Sequence, residues 1–293
     1  MIVIRSLRKI IPLLRKYKVR NKSIGFVPTM GALHKGHLSL IREARKENDI
    51  VVVSIFVNPV QFGPKWLWLS EAKPRPSGLE DFRRYPRPIK KDLSFCLKEG
   101  VDFVFLPKVK EMYPEGFKTY VMVEELSDVL CGKSRPGHFR GVATVVTKLL
   151  NIVGPDNAYF GQKDAQQAII IKRMVKDLNI PARIKVMPTV RGKDGLALSS
   201  RNTYLSEKER KDALVLSRSL KLARDLIKRR EKRAKKVILS MRQLIQRKKK
   251  AKIDYIDIVD ISTLKPVKKI SKNCLIALAV QIGKTRLIDN III

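Results

Sequence analysis

The sequence predicts an α/β fold, a doubly wound parallel sheet followed by a smaller α+β domain, and three observations predict it. Strand-like and helix-like segments alternate through the first 187 residues. The segment Asp49–Asn58 is an almost unbroken run of Val, Ile and Phe, the composition of a strand buried on both faces of a parallel sheet. After Pro188 the alternation stops, and a long helical stretch is followed by strands. A chain of 293 residues is also long for one compact core and comfortable for two.

Taken in order, Ser23–Pro28 is a β-rich run that ends in the turn cluster Pro28-Thr29-Met30-Gly31. His37–Asn48 follows a helical period, with Leu38, Leu40, Ile41 and Ala44 on one face. With Asp49–Asn58 it completes a βαβ unit. Helices follow over Ile89–Lys98, Val142–Val153 and Ala165–Leu178. Strands follow over Asp102–Leu106, Ala158–Phe160 and Ile184–Pro188. The predicted division is residues 1–187 and 188–293, the second part having helices from Glu207 to about Lys250. Strands are expected there near Tyr255–Asp260 and Leu275–Val280, with a last apolar run at Arg286–Ile288.

No window approaches the ~18–20 uninterrupted apolar residues of a membrane-spanning helix. Arg5, Arg8 and Lys9 break up the apolar stretch that a secretory signal needs. Cys96, Cys131 and Cys274 are odd in number and lack metal-ligand spacing, so reduced thiols in a cytoplasmic protein are expected. The formal net charge of +35 favours contact with polyanions. Between Arg201 and Lys252 there are 20 Lys or Arg against 5 Asp or Glu. Leu214, Leu216, Leu220, Leu222 and Leu226 interleave those charges, the pattern of solvated faces on amphipathic helices. Within that stretch, aromatic residues for base stacking are absent apart from Tyr204.

Two of the three histidines form His34-Lys35-Gly36-His37, between the first strand and its helix. In an open α/β sheet, ligands bind at the carboxyl ends of strands, and a helix N-terminus there offers free N–H groups to phosphate. Gly36 removes a side chain that would hold a nucleotide away from the backbone. A purely structural reading stands beside this one: one imidazole caps the helix and the other packs.

Residues 26–37, Phe-Val-Pro-Thr-Met-Gly-Ala-Leu-His-Lys-Gly-His, resemble the start of the pantoate–β-alanine ligase family, including its version of the HIGH motif of adenylate-forming nucleotidyltransferases. The resemblance continues in family order through residues 54–62, Tyr85-Pro86-Arg87, residues 134–141, residues 160–167, residues 194–202 and residues 285–290. It implies a Rossmann-like domain over residues 1–187 that binds ATP and pantoate, and a C-terminal lid domain over residues 188–293. It also implies a two-step reaction through pantoyl adenylate. Both steps build negative charge on oxygen, so positioning and electrostatic stabilisation should dominate.

By the family pattern, His34 and His37 contact ATP phosphates, with His37 at the α-phosphate, and Lys163 neutralises phosphate oxygens. Asp164 is the expected Mg²⁺-linked carboxylate. Ser199, Ser200 and Arg201 grip the β- and γ-phosphates, although Ser-Ser-Arg-Asn reads equally as a helix-capping turn. Met30, Gly161, Val190 and Leu198 complete the ATP set. Gln61 and Gln167 pair on pantoate, with Met30 lining the same pocket and Asn58 a further candidate. Arg135 and His138 are expected to order the site. A homodimer is implied as well.

The sequence departs from the family between Phe62 and Glu80, where an insertion over Pro64–Leu79 holds both tryptophans. It reads as a lid, an interface or membrane-surface contact, or a tolerated surface loop. Gln162 and Ala165 stand where Glu and an aromatic residue are usual. The rival readings are another HIGH-type nucleotidyltransferase, a basic nucleic-acid-binding protein, or an inactive relative.

Overall fold

The computed structural model describes residues 1–63 and 82–293. The insertion at 64–79 therefore lies outside the described residues. The chain forms two compact units. The first holds Met1–Ser127, Arg135–Gly161 and Ile170–Met187, and the second holds Asp128–Ser134, Gln162–Ile169 and Pro188–Ile293.

The first unit is built on a six-stranded sheet of β1 (Ile2–Ile4), β2 (Ile24–Thr29), β3 (Ile50–Ile55), β4 (Phe103–Phe105), β5 (Asn157–Gly161) and β6 (Arg183–Met187). Its order is β1-β4-β3-β2-β5-β6 and every pairing is parallel. The central strands β2, β3 and β4 are buried almost throughout because helices cover the sheet. Helix α1 spans Leu7–Val19, α2 Lys35–Glu47, α3 Ile89–Lys98 and α4 His138–Val153, while α5, Ala165–Asp177, belongs to this unit from Ile170 onward. Helix α2 buries Leu38, Leu40, Ile41 and Ala44, the face its period predicts. Each large aliphatic side chain contributes roughly 1.5–3 kcal/mol on full burial.

The predicted α/β architecture is present, and three local differences have physical causes. The first 20 residues, considered only as a failed signal segment, form an edge strand and a helix whose buried stripe is Ile10 and Leu14 amid basic residues. Helix α4 begins at His138, ahead of the expected Val142. Gly137 turns the chain in with φ 77°, and Phe139 is the one apolar side chain of the first turn, between His138 and Arg140, too little to show the period. Strand β7 (Ala251–Asp260) begins before the expected Tyr255, with a register shift between Ile253 and Tyr255.

In the second unit β7, β8 (Cys274–Ile282) and β9 (Thr285–Ile292) form an antiparallel sheet in the order β7-β8-β9. Helices α6 (Glu207–Lys228) and α7 (Ala234–Gln246) share its core through Leu216, Leu220, Val237, Met241 and Ile245, against Ile276, Leu278 and Val280. Arg218, Lys221, Arg224 and Lys228 lie on the exposed side of α6. The basic stretch is thus the solvated face of an amphipathic pair.

Candidate active site

The chain winds outward from β2 in both directions, through β3 and β4 on one side and β5 and β6 on the other. The β2–β5 ladder holds only Gly25 with Asn157 and Phe26 with Ala158, so pairing stops before the carboxyl ends of both strands. That is the switch point at which an open sheet leaves a crevice. Gly161 closes β5 there, and a Cβ added to it would meet nothing within 4 Å.

The loop after β2 is tightly specified. Gly31 and Ala32 are both left-handed, with φ 82° and 51°. Asp92, fully buried on α3, accepts the backbone N–H of Ala32 at 2.9 Å and of Leu33 at 2.8 Å. Burial pushes the Asp92 carboxyl above its ordinary value, against those two hydrogen bonds. A side chain at Gly31 would crowd Asp92 Oδ2 at 2.9 Å as well as demand an unfavourable φ. One buried carboxylate therefore fixes how the chain enters His34.

His34 is the N-cap of α2. Its Nδ1 accepts the N–H of Gly36 at 3.1 Å, while Nδ1 of His37 accepts the N–H of His34 at 3.3 Å. The two imidazoles make a reciprocal capping box, and their rings lie 4.1 Å apart. Both histidines thus take up the structural task that the sequence reading offered to one of them. Accepting at Nδ1 places the proton of each neutral ring on Nε2, the donor an anion at this helix terminus would meet. Gly36 also has a duty inside the fold: a Cβ there would lie 2.9 Å from Cε1 of His34, so the glycine makes room for the imidazole.

Gln61 lies in a 3₁₀ turn, Pro59–Phe62, and is buried. Its Nε2 donates to the sulfur of Met30 at 2.8 Å, and its Oε1 accepts from Asn58 at 3.3 Å. Asn58 is buried too, donating to the Gly141 carbonyl and accepting from the Tyr113 hydroxyl. His138 donates from Nδ1 to the Gln61 carbonyl at 3.0 Å and accepts from Arg135 at Nε2. Helix α4 approaches this turn closely, for a Cβ on Gly141 would sit 2.5 Å from the Gln61 nitrogen. Met30 and Gln61 are therefore in contact, with Asn58, Gly141 and His138 holding the glutamine's backbone and amide.

In the second unit, Lys163 Nζ lies 3.8 Å from Asp164, whose side chain is 49% exposed. Asn290 of β9 donates to the carbonyls of Gln162 and Lys163, both at 2.9 Å, and so fixes the start of this segment. Ser199 caps a 3₁₀ turn, Ser200–Tyr204, by accepting the N–H of Arg201, which is the capping-turn reading of that run. A pocket here is lined by Lys163, Ser199, Arg201, Asn202 and Arg286 among others. The Asn202 Oδ1 is buried there without a partner among the described residues. Ser200 and Gln167 are half-buried in the same unit. Val190 and Leu198 face each other across a backbone hydrogen bond of 3.0 Å. Arg191, next to Val190, makes a two-pronged ion pair with buried Asp289 at 2.7 and 2.9 Å.

The sequence alone assigned no role to Asp92, Gly141, Asn290 or Arg286, although the last three lie in segments that resemble the family. The contacts of each are with partners distant in sequence, which no local pattern gives. Chemically, the first unit offers Nε2–H donors at a helix terminus and the buried amide of Gln61, and the second offers cations and hydroxyls suited to polyphosphate.

A family model described as pantoate-beta-alanine ligase matches residues 2–292. The chain is 54% identical to the pantothenate synthetase of Caldicellulosiruptor saccharolyticus over 293 residues, covering 100% of this chain and 99% of that protein. It is 54% identical to the pantothenate synthetase of Acetivibrio thermocellus over 291 residues, covering 99% of each. The crystal structure of pantothenate synthetase from Thermus thermophilus superimposes with a TM-score of 0.90 at 41% identity, covering 99% of both chains. That of pantoate-beta-alanine ligase from Francisella tularensis, complexed with beta-gamma ATP and beta-alanine, gives 0.77 at 36% identity, covering 100% of this chain and 97% of that one.

Proposed function

The chain belongs to the pantoate–β-alanine ligase family, and from that premise we propose how its residues divide the reaction. The protein joins pantoate to β-alanine at the expense of ATP, forming an amide bond through pantoyl adenylate and releasing AMP and pyrophosphate. The alternatives of another HIGH-type nucleotidyltransferase and of a nucleic-acid-binding protein are not favoured by a match spanning the whole chain. The observation that carries the division of roles is the paired imidazole cap of α2, which follows a strand at the switch point of the sheet.

In the proposed first step, the pantoate carboxylate attacks the α-phosphate of ATP and pyrophosphate leaves. His34 and His37 donate from Nε2 to phosphate oxygens, His37 at the α-phosphate, where charge grows most. Lys163 neutralises phosphate oxygens, and Ser199, Ser200 and Arg201 hold the β- and γ-phosphates. Met30, Gly161, Val190 and Leu198 border the nucleotide. Gln61 and Gln167 orient the hydroxyls and carboxylate of pantoate, the contact of Gln61 with Met30 supporting this reading. In the second step the amine of β-alanine attacks the acyl carbon and AMP departs, with the same donors stabilising the oxyanion.

Asp164 fits a Mg²⁺ ion shared with the phosphates. Its carboxylate is half-exposed, with Lys163 beside it at 3.8 Å. No group of three or more His, Cys, Asp or Glu among the described residues forms a protein-only metal cage. A single carboxylate plus phosphate oxygens and water is how such an ion is usually held, and it would supply charge neutralisation.

The proposal further takes residues 188–293 as the lid domain, the protein as a cytoplasmic homodimer, and pantoate as the acid. Among the described residues no helix is long and apolar enough to cross a membrane. The direct test is AMP release in the presence of ATP and Mg²⁺. The reading requires it to depend on both pantoate and β-alanine; release that ignores pantoate would sink it.

A further inference from the structure

We propose that Arg286 is a further binding residue for the leaving pyrophosphate, a fixed guanidinium whose unused edge takes a phosphate oxygen. The proposal rests on the reading of Lys163, Ser199 and Arg201 as the polyphosphate site, because Arg286 lines the same pocket as those three.

The side chain of Arg286, on β9, is anchored from one side. Its Nε and Nη2 donate to a single oxygen of Asp254, Oδ2, at 2.9 and 2.7 Å. Nη2 also lies 3.3 Å from Ser134 Oγ and 3.5 Å from Cys131 Sγ. Ser134 in turn donates to the same Asp254 oxygen at 3.0 Å, and the guanidinium carbon stands 6.0 Å from the ring centroid of Tyr255. Nη1 makes no hydrogen bond among the described residues, and the side chain is 24% exposed.

The same unit shows what an arginine does when its work is only structural. Arg191 spreads Nη1 and Nη2 over both oxygens of Asp289, whose side chain is 1% exposed. That fork-to-fork geometry commits the guanidinium to one carboxylate. Arg286 instead crowds two nitrogens onto one oxygen and keeps the third in hand. An arginine has five N–H donors, and a donor left over beside a pocket that also holds Lys163, Ser199 and Arg201 seeks an acceptor.

The chemistry of the neighbours says which acceptor. Lys163 and Arg201 bring two more cations to the pocket walls, and Ser199 a hydroxyl. A small carboxylate would leave much of that charge unmatched, whereas pyrophosphate carries several negative charges on adjacent phosphoryl groups. Holding the guanidinium with Asp254, Ser134 and Tyr255 before the ligand arrives removes the rotamer entropy that a free arginine would lose on binding. Asp254, Ser134 and Tyr255 are thus positioning residues, and Arg286 is the contact.

The test uses the full chain and pyrophosphate itself, measured by titration calorimetry. Arg286→Gln is expected to weaken pyrophosphate binding and raise the KM for ATP by roughly tenfold, the loss typical of one charge-assisted hydrogen bond. The KM for β-alanine should stay as it was. Arg286→Lys should recover part of both effects, since it restores the charge without the fork. Asp254→Asn should weaken pyrophosphate binding less than Arg286→Gln. Pyrophosphate binding and ATP KM unchanged in a folded Arg286→Gln protein would overturn the proposal, as would equal losses in Arg286→Lys and Arg286→Gln. If the wild type releases no pantoate-dependent AMP yet binds pyrophosphate through Arg286, the reading of the reaction fails while the anion site stands.

Discussion

His37 and His34 hold the start of α2 between them: Nδ1 of His37 accepts the amide of His34 at 3.3 Å, and Nδ1 of His34 accepts the amide of Gly36 at 3.1 Å. The capping bonds fix each ring and leave its proton on Nε2. The residues proposed to meet phosphate are therefore also those that build the helix terminus beneath it. On that proposal, stability and catalysis are coupled at this point.

A substitution can separate the two. Glutamine at the third helical position also closes a capping box, so His37→Gln should keep the helix start within about 1 kcal/mol. It should still lower the rate of adenylation by at least roughly a hundredfold, because the imidazole Nε2–H is replaced by a shorter-reaching amide whose oxygen is held at the cap. Thermal melting and AMP release on the same preparation check both halves. A variant that melts like the wild type and turns over like it would remove His37 from the reaction.

Gly141 should be intolerant of even a methyl group. An alanine Cβ there would sit 2.5 Å from the Gln61 nitrogen, so either α4 or the Gln61 turn must move. Overpacking of this kind costs about 1–3 kcal/mol. The expected outcome for Gly141→Ala is a lowered melting temperature together with a higher KM for pantoate. An unchanged KM would separate the Gln61 turn from the acid.

Asp92→Ala removes the acceptor of two backbone amides, those of Ala32 and Leu33. Unpaired buried donors cost about 1–3 kcal/mol each. We expect a clear loss of stability and a fall in kcat, because the left-handed turn at Gly31 and Ala32 no longer sets the entry into His34. Equilibrium unfolding and steady-state kinetics test this; full activity in the folded variant would show that the turn holds itself.

Much of this architecture is legible in the sequence. Buried strand β3 and helix α3 follow from local composition, and the helix matches its expected bounds, Ile89–Lys98. The chemistry is legible only as motif. Asp92 touches the His34 loop from 59 residues away in sequence, and Asn290 reaches the Lys163 segment across 127. Such contacts leave no periodic trace. In the first 20 residues, basic side chains obscure a two-residue buried stripe, so neither strand nor helix is evident there. Gly36 suggests room for a ligand when its nearest constraint is His34.

The pH response should show one simple component. Asp49 accepts the backbone amide and hydroxyl of Ser23 and pairs with Lys22, which together lower its carboxyl from 3.8 to about 2. A depressed pKa means the carboxylate stabilises the fold above the unfolded value and loses that contribution as pH falls through the folded one. Asp49→Asn should therefore melt below the wild type at neutral pH. The difference should shrink as pH falls from about 4 to about 2. A difference that persists unchanged at about pH 2 would assign it to something other than the charge.

Activation of pantoate as an adenylate at the site built on the His34–His37 cap is open to direct measurement. The most direct measurement is exchange of labelled pyrophosphate into ATP, with Mg²⁺ and pantoate present and β-alanine left out. The expected result is exchange that requires pantoate and disappears in His37→Ala. Folded wild-type protein that shows no pantoate-dependent exchange, or exchange that survives the loss of His37, would contradict it.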